Sequence, residues 1–526
     1  MSAGFSIPDD LNPDETWERE DMHCPMALSP LSQDFILQLF EAINARFILF
    51  DMPVRIETRF IEGYAYTRDV IEDGVSPEDL APMQEQKREE MIAGGISQWT
   101  EEAFPALMKL YGDLDAVTFG GSRPQASEDW QEAWKYIYKA YKIHFTLVST
   151  LFYGPVNRLA DFCVTSMGGT ETDALRLMQG RTKTLNEVQG DLHALAELAK
   201  RQPEINQAVS AGAGSVEELA SLDGGAEFSE RFKGFVARHG HLGQAFDDLS
   251  QPSWAQDPSL LFAELRRRLT QPGEDPEVRS SRLIADSERL AAEARSKLRG
   301  DDLERFERLL EDARTLGPLT EDHNYWLDRM FHHKMHACAL RAGERLVADG
   351  VIEDPDEVFH LHADEVASFL ADPRPSTDLI AQRKDLLVRW RELKPPSHLG
   401  PEPSLAGQDR FHAGKEPSLE ADRLLGHGAC PGSVTGVARV VTSPADFARV
   451  SEGEIVIAPA SNPSWVPLFN IIGGLVTNTG GVLSHAAVVA REFGIPAVVG
   501  VKDATTTISD GRKVRIDGAS GEVFLL

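Results

Sequence analysis

Leu475 to Gly500 reads LVTNTGGVLSHAAVVAREFGIPAVVG. The β-prone Leu475–Thr477 enters a turn at Gly480-Gly481, and a helix follows from Ser484, a residue type that caps helix N-termini. Pro496 and a second β-prone run, Ala497 to Gly500, close the unit, so this stretch reads as strand, turn, helix and strand of an α/β domain. Its chemistry gathers where the turn meets the helix. Glycines let the backbone approach a bound group closely, and the free N–H groups and positive end of the helix dipole favour a phosphate there. His485 stands in that first turn, and a neutral imidazole is a nucleophile toward phosphorus. Arg491 lies about 1.7 turns further on, so spacing leaves open whether it faces the same phosphate. Glu492 shares the face of His485 and either orients the imidazole or pairs with Arg491. The bland alternative is a histidine that merely caps a helix in a packed domain.

Working outward, further short β-prone runs surround this motif: Val434–Val441, Ile455–Ala458, Val514–Asp517 and Val523–Leu526. Asp510-Gly511 and Asp517-Gly518 turns punctuate them, and a second helical piece spans about Pro444 to Val450. Residues 428–526 therefore read as one compact α/β domain. Before it, 394–427 (KPPSHLGPEPSLAGQDRFHAGKEPSLEADRLLGH) is rich in Pro, Gly, Ser and charge and reads as a linker. Flexible chain of that length has a root-mean-square span of about 30 Å and a fully extended limit of roughly 110 Å. From about residue 30 to 393 the pattern is helical. Leu283, Leu290, Ala294 and Leu298 fall on one face, and Trp130, Trp134, Tyr136, Tyr138, Tyr141 and Phe145 crowd one helix, as core or as a pocket wall. The expected architecture is multidomain: a mainly α-helical domain over 1–393, a linker over 394–427 and an α/β domain over 428–526.

The chain has 526 residues, with 53 Lys plus Arg against 83 Asp plus Glu, a formal charge of −30 and a pI near 4.9. So acidic a surface repels phosphate backbones and anionic lipid, which speaks against nucleic-acid and membrane partners. The longest apolar stretch, Ile143 to Gly154, is too short to span a bilayer and reads as a buried helix. The acidic N-terminus has no basic region followed by an apolar core, so no secretory signal is expected. Cys24, Cys163, Cys338 and Cys430 are scattered, a pattern that fits a reduced, cytoplasmic chain and not a disulfide framework or zinc knuckle. His332 and His336 stand at i, i+4, but the glutamate that HExxH requires is missing, so no metal site is expected. Gly407 to Lys415 (GQDRFHAGK) mimics a P-loop with the wrong glycine spacing and with Glu416 in place of Ser/Thr.

Residues 428–526 resemble the swivelling phosphohistidine domain of the phosphoenolpyruvate-utilising enzymes, the family of pyruvate phosphate dikinase, phosphoenolpyruvate synthase and rifampicin phosphotransferase. The matching residues are Thr477, Gly480, Gly481, Ser484, His485, Ala486, Ala487, Arg491, Glu492, Gly494, Pro496 and Gly500, with the leader Gly428 to Gly432, Gly436 and the two closing Asp-Gly turns. The resemblance implies that His485 is phosphorylated during turnover, with Thr477, Gly480, Gly481, Ser484, Arg491 and Glu492 supporting the phosphate. Where regulated dikinases carry a threonine, two residues before the histidine, this chain has Leu483, so that form of regulation is not expected.

The helical half resembles the acceptor-binding domain of rifampicin phosphotransferase and its relatives at Trp17–Leu31, Val236–Pro258, Leu319–Trp326 and the Val358–Leu361 and Asp364-Glu365 pattern. Leu242 and Phe246 stand where related sequences have an arginine and a glutamate, which implies a more apolar acceptor or a changed loop. Family members that run the whole cycle carry an ATP-grasp domain before the acceptor region, and no glycine-rich nucleotide loop is visible here. The resemblance then implies a separate ATP-grasp subunit that uses ATP and Mg²⁺ to charge His485 through a pyrophosphoryl intermediate, leaving AMP and phosphate. Split systems of this kind include phenylphosphate and methylphenylphosphate synthases, so the expected acceptor is a small aromatic hydroxyl compound, a phenol or cresol. A His or carboxylate must take its proton. The candidates are His23, His241, Glu321, Asp322 and His323, with Trp326 beside them; the Glu321-Asp322-His323 concentration comes first. The competing expectations are a non-catalytic phosphorelay module that docks other proteins, and a component of rifampicin-like antibiotic inactivation.

Overall fold

The computed structural model describes residues 5–20, 24–49, 52–72, 74–75, 89, 92, 94–242, 248–270, 274–401, 422–442, 444–461, 463–482 and 484–526. The chain divides into two compact units, one of Met1–Leu151, Phe246–Gln251 and Trp326–Gln408, the other of Phe152–Ala245, Pro252–Tyr325 and Asp409–Leu526. Among the described residues no helix is long and apolar enough to cross a membrane. All four cysteines are buried and free.

The first unit corrects the purely helical reading of residues 30–393. Val54–Ile61 (β2) and Tyr64–Ile71 (β3) form a hairpin, and Trp17–Arg19 (β1) and His398–Leu399 (β4) complete an antiparallel sheet in the order β2-β3-β1-β4. The Glu62-Gly63 turn between β2 and β3 has both residues at positive φ, 48° and 80°, the geometry of a two-residue hairpin. Glycine is required there also because a Cβ on Gly63 would lie 2.8 Å from the Trp390 ring. Long helices pack beside this sheet, among them Pro30–Leu49, Arg123–Leu147 and Met330–Ala348. Trp130 and Tyr141 are buried, so the aromatic helix contributes to the core.

In the second unit, helices Tyr153–Met167, Lys183–Arg201, Gly225–His239, Ser259–Thr270, Pro276–Lys297 and Gly300–Leu316 precede an eight-stranded sheet. Its strands are Arg423–Leu425 (β5), His427–Cys430 (β6), Ser433–Val440 (β7), Ile455–Ala458 (β8), Gly474–Thr477 (β9), Ala497–Val499 (β10), Lys513–Asp517 (β11) and Glu522–Leu525 (β12), ordered β5-β12-β11-β7-β8-β9-β10-β6. The centre, β7 to β10, is parallel and the flanks are antiparallel. Strand β8 is buried on both faces: Val456 and Ala458 enter the core under the histidine helix, while Ile455 and Ile457 enter the core on the other side. Two short strands escaped the sequence reading, β5 and β6, because three or four residues carry too little alternation to register. Strands β4 and β5 lie inside the 394–427 segment; the middle of that segment, 402–421, lies outside the described residues, as does Gly407–Lys415 with it.

The helix His485–Phe493 buries Ala486, Ala487, Val489, Ala490 and Phe493 in the core above β8 to β10, and Arg491 and Glu492 are buried with them. Gly494, at φ 67°, closes it in the left-handed conformation. Its outer end rests on the helical part of the same unit. Gly180 N–H donates to Glu492 Oε1 at 2.9 Å, the Arg279 guanidinium lies 4.1 Å from the Phe493 ring centroid, and Thr172 Oγ1 donates to Gly428 O at 2.7 Å. Burial pushes the Glu492 carboxyl up to about 7; the Gly180 N–H and the positive charges of Arg491 and Arg279 oppose the rise, and Glu321 adds to it.

Because that folded value lies above the ordinary 4.5, the stability carried by protonated Glu492 is complete below about pH 4.5 and is lost as pH rises through about 7. Over that window the loss is about 3 kcal/mol. Glu492→Gln keeps an acceptor for Gly180 without the charge. Denaturant unfolding of both proteins should show no difference at the acidic end and an advantage for Glu492→Gln that grows from about pH 4.5 to about pH 7 and then levels; parallel pH profiles would remove Glu492 as the source.

Candidate phosphohistidine site

Strand β9 delivers the chain to the turn. Thr477 is buried, and its Oγ1 donates to Thr479 O at 2.8 Å. Asn478 N–H and Thr479 N–H donate to Ala458 O and Pro459 O, which fixes the loop against the end of β8. Gly480 has φ 102°, and a Cβ there would lie 2.9 Å from Ser484 Oγ, so both conformation and space demand glycine. Ser484 sits in extended geometry at the cap position, and its N–H donates to Gly481 O at 3.0 Å. Its hydroxyl makes no capping bond and is buried without a hydrogen-bond partner.

His485 is the first helical residue. Its Nδ1 lies 2.9 Å from Glu321 Oε2, and its Nε2 is buried with no hydrogen-bond partner. A carboxylate only accepts, so the proton belongs on Nδ1 and the Nε2 lone pair is left for bond formation. The side chain keeps 14% of its exposure and that of Glu321 8%, so the pair is screened from bulk water without being sealed.

Glu321 comes from the short helix Leu319–His323, whose turns continue without a break into Asn324–Arg329. The sequence reading grouped Glu321, Asp322 and His323 as one acceptor cluster. The structure separates them. Asp322 Oδ1 accepts from Thr184 N–H at 3.2 Å and Thr184 Oγ1 at 2.5 Å, and burial raises its carboxyl above the ordinary range. His323 Nδ1 donates to Leu319 O at 2.7 Å, with its ring 5.2 Å from that of Phe152. Only Glu321 reaches His485.

Arg491 and Glu492 follow neither pattern read from spacing. Arg491 is buried, and its Nη1 donates to Ala429 O at 3.0 Å and Val482 O at 2.7 Å, clamping β6 to the loop before Ser484. Burial lowers it to about 10, which leaves it cationic at neutral pH. Glu492 turns to Gly180, and the orienting role that spacing offered it is occupied by Glu321. Sequence separation of 164 residues hid that pairing; the acidic density of Glu321-Asp322 was its only local trace.

His241 is buried with its ring 4.3 Å from that of Tyr325, edge to face. Trp326 belongs to the first unit, where its ring meets Phe104 at 5.1 Å and its carbonyl accepts from Tyr111 Oη at 2.6 Å. His332 and His336 are buried there, not on a solvated face, and His336 Nδ1 donates to Leu249 O at 2.7 Å. His23, Phe246 and Leu483 lie outside the described residues.

Residues 450–521 match the family described as the PEP-utilising enzyme, mobile domain, and residues 148–321 match the rifampicin phosphotransferase fourth domain. The His485–Glu321 bond joins the two matched regions. Chondramide synthase cmdD of Chondromyces crocatus is 30% identical over 97% of this chain, which spans 14% of that protein. Rifampicin phosphotransferase of Streptomyces sviceus is 30% identical over 59% of this chain and 36% of its own length. The uncharacterized phosphotransferase YvkC of Bacillus subtilis is 27% identical over 65% of this chain and 40% of its own. The chain thus spans less than half the length of each of these relatives. The chain is thus similar, in two separate regions, to the mobile domain of the PEP-utilising enzymes and to the fourth domain of rifampicin phosphotransferase.

Proposed function

We propose that this chain is the phosphocarrier and acceptor component of a phosphotransferase, in which His485 Nε2 takes a phosphoryl group and passes it to a hydroxyl compound. The observation that carries the reading is the 2.9 Å contact between His485 Nδ1 and Glu321 Oε2 at a helix start, which leaves Nε2 as the reactive nitrogen. With Nδ1–H held by the carboxylate, a phosphoryl group on Nε2 leaves the ring neutral when the P–N bond breaks, and the electron pair returns to Nε2. Glu321 stabilises the positive ring of the phosphorylated state and fixes its orientation. The resemblance to family members supplies the donor: ATP with Mg²⁺, held on a separate ATP-grasp subunit that meets His485 when 428–526 swings away on the 394–427 segment. The acceptor in this reading is a phenol or cresol. A second reading, a larger alcohol of the rifampicin class, is favoured by the match of 148–321 to the rifampicin phosphotransferase fourth domain.

Charged with a radiolabelled phosphoryl donor, the wild-type chain should hold acid-labile, base-stable label, and His485→Ala should hold none. Label persisting in that variant would falsify the assignment. Glu321→Ala should slow passage of label to an accepting hydroxyl compound by about 10²-fold or more. Glu321→Gln, which keeps an acceptor for Nδ1–H without the charge, should fall between the two. A panel of phenol, p-cresol and rifampicin, read as phosphate ester formed, separates the two acceptor classes.

A further inference from the structure

Glu321 fixes the tautomer of His485, and its own direction has to be fixed in turn. It lies on the five-residue helix Leu319–His323, entered through Gly317-Pro318. Five residues make little more than one turn, so the direction of each side chain depends on how that turn is rotated about its axis. Thr320 Oγ1 and His323 Nδ1 bond back within the stretch, to Gly317 O and Leu319 O, both at 2.7 Å. Asp322 reaches across to another helix. Its Oδ1 accepts from Thr184 N–H at 3.2 Å and from Thr184 Oγ1 at 2.5 Å. Thr184 is buried and is the second residue of the helix Lys183–Arg201, whose first N–H groups have no partner inside the helix. The positive end of the helix dipole favours a carboxylate at that place. Burial raises the Asp322 carboxyl above the ordinary range, and the two Thr184 donors oppose the rise.

The segment that holds Asp322 also holds the other side of the site. Four residues before Thr184, Gly180 N–H donates to Glu492 Oε1 at 2.9 Å, on the helix that begins at His485. Gly180 O is itself fixed, accepting from Ser280 Oγ at 3.0 Å and Asn186 Nδ2 at 3.3 Å. Gly180 has φ 79°, and a Cβ there would lie 3.0 Å from Leu283 Cβ. Leu185, next to Thr184, packs against the core of the histidine module. His485 and Glu321 stand 164 residues apart in the chain, yet both of their helices are tied to residues 180–184, which span at most about 14 Å.

We infer that Asp322 and Thr184 are positioning residues of the phosphohistidine site: their hydrogen bonds fix the rotation of the Glu321 turn and, through Glu321, the Nδ1–H tautomer of His485. The inference deepens the phosphotransfer reading above and rests on it. Successive residues of a helix are turned by about 100°, so once Asp322 is tied to Thr184 the Glu321 carboxylate has one direction, and His485 stands in it. Without that tie the carboxylate swings away and Nδ1 loses its acceptor-only neighbour. The imidazole then reverts to the Nε2–H form that it prefers in water, which has no lone pair on Nε2 for a phosphoryl group. Asp322 thus has a role other than taking the acceptor's proton, and neither it nor Thr184 touches the reacting atoms.

The test uses the full chain labelled with nitrogen-15 at histidine, at a pH where imidazoles are neutral, with the His485 signals assigned from their loss in His485→Gln. Wild type should show the Nδ1–H tautomer at His485. Asp322→Ala removes the acceptor, and the near-isosteric Thr184→Val removes the hydroxyl donor with least disturbance of the fold. Both should move His485 toward Nε2–H. Both should also slow passage of label, loaded with radiolabelled phosphoramidate, from His485 to phenol, p-cresol or methanol by about 10-fold or more. Asp322→Asn, which keeps an oxygen for Thr184, and Thr184→Ser, which keeps the hydroxyl, should restore the wild-type tautomer and most of the rate. Loosened packing alone would not select one ring nitrogen over the other. A His485 tautomer unchanged in Thr184→Val, or Asp322→Asn behaving as Asp322→Ala does, overturns the positioning role and leaves His485 as the carrier. Label that stays on His485 in wild type with every hydroxyl compound overturns the phosphotransfer reading itself, and the tautomers still decide whether Asp322 and Thr184 orient the ring.

Discussion

One hydrogen bond, His485 Nδ1 to Glu321 Oε2 at 2.9 Å, makes the rest of this arrangement intelligible. An imidazole has two nitrogens, and in water neither tautomer nor ring orientation is fixed. Placing an acceptor-only group against Nδ1 decides both at once. The bond is partly buried, where a charge-assisted contact is stronger than at an open surface. Its two ends come from different architectures: a helix of an α/β module whose first turn is shaped by Gly480 and Ser484, and a short helix on an α-helical scaffold. Neither alone contains the site.

Several of the contacts that surround the bond are polar. Gly180 N–H to Glu492, Thr172 to Gly428 O and the Arg279 guanidinium over Phe493 link the histidine module to the helices, and Asn470 Nδ2 donates to Gln189 Oε1 at 3.2 Å. Polar groups of this kind exchange their partners for water at modest cost when two surfaces part, whereas a continuous apolar seam does not. Each side also keeps its own core: the histidine module between its helix and sheet, and the helices among Leu192, Phe228, Phe262 and their neighbours. The histidine module thus has a core of its own and a seat held in part by polar contacts.

Much of this was legible in the sequence, for identifiable reasons. The Gly480 turn, the helix start after Ser484 and the apolar stripe of the His485 helix are local rules written in consecutive residues, and the central strands of the module are apolar runs bounded by Gly and Asp-Gly turns. The hairpin Val54–Ile71 was missed although Val54, Ile56 and Phe60 alternate with Arg55, Glu57 and Arg59 before the Glu62-Gly63 turn, because two eight-residue runs are short against the helical periodicity around them. The roles of Arg491 and Glu492 were not legible at all. Helical spacing says which face a residue shares with His485, but their long side chains reach Ala429, Val482 and Gly180, each brought near by the fold. Glu321 was found as part of an acidic concentration and assigned with Asp322 and His323, yet successive residues on a helix point in different directions, and only one of three faces the imidazole.

Under the proposed reading, the electrostatics of the seat suit a positively charged ring. Glu321, Asp322 and Glu492 bring three carboxyl groups into one region, and burial raises the last two. A buried carboxyl whose charged form is disfavoured signals surroundings that resist further negative charge. A positively charged imidazole fits them, and Glu321 holds the ring through Nδ1.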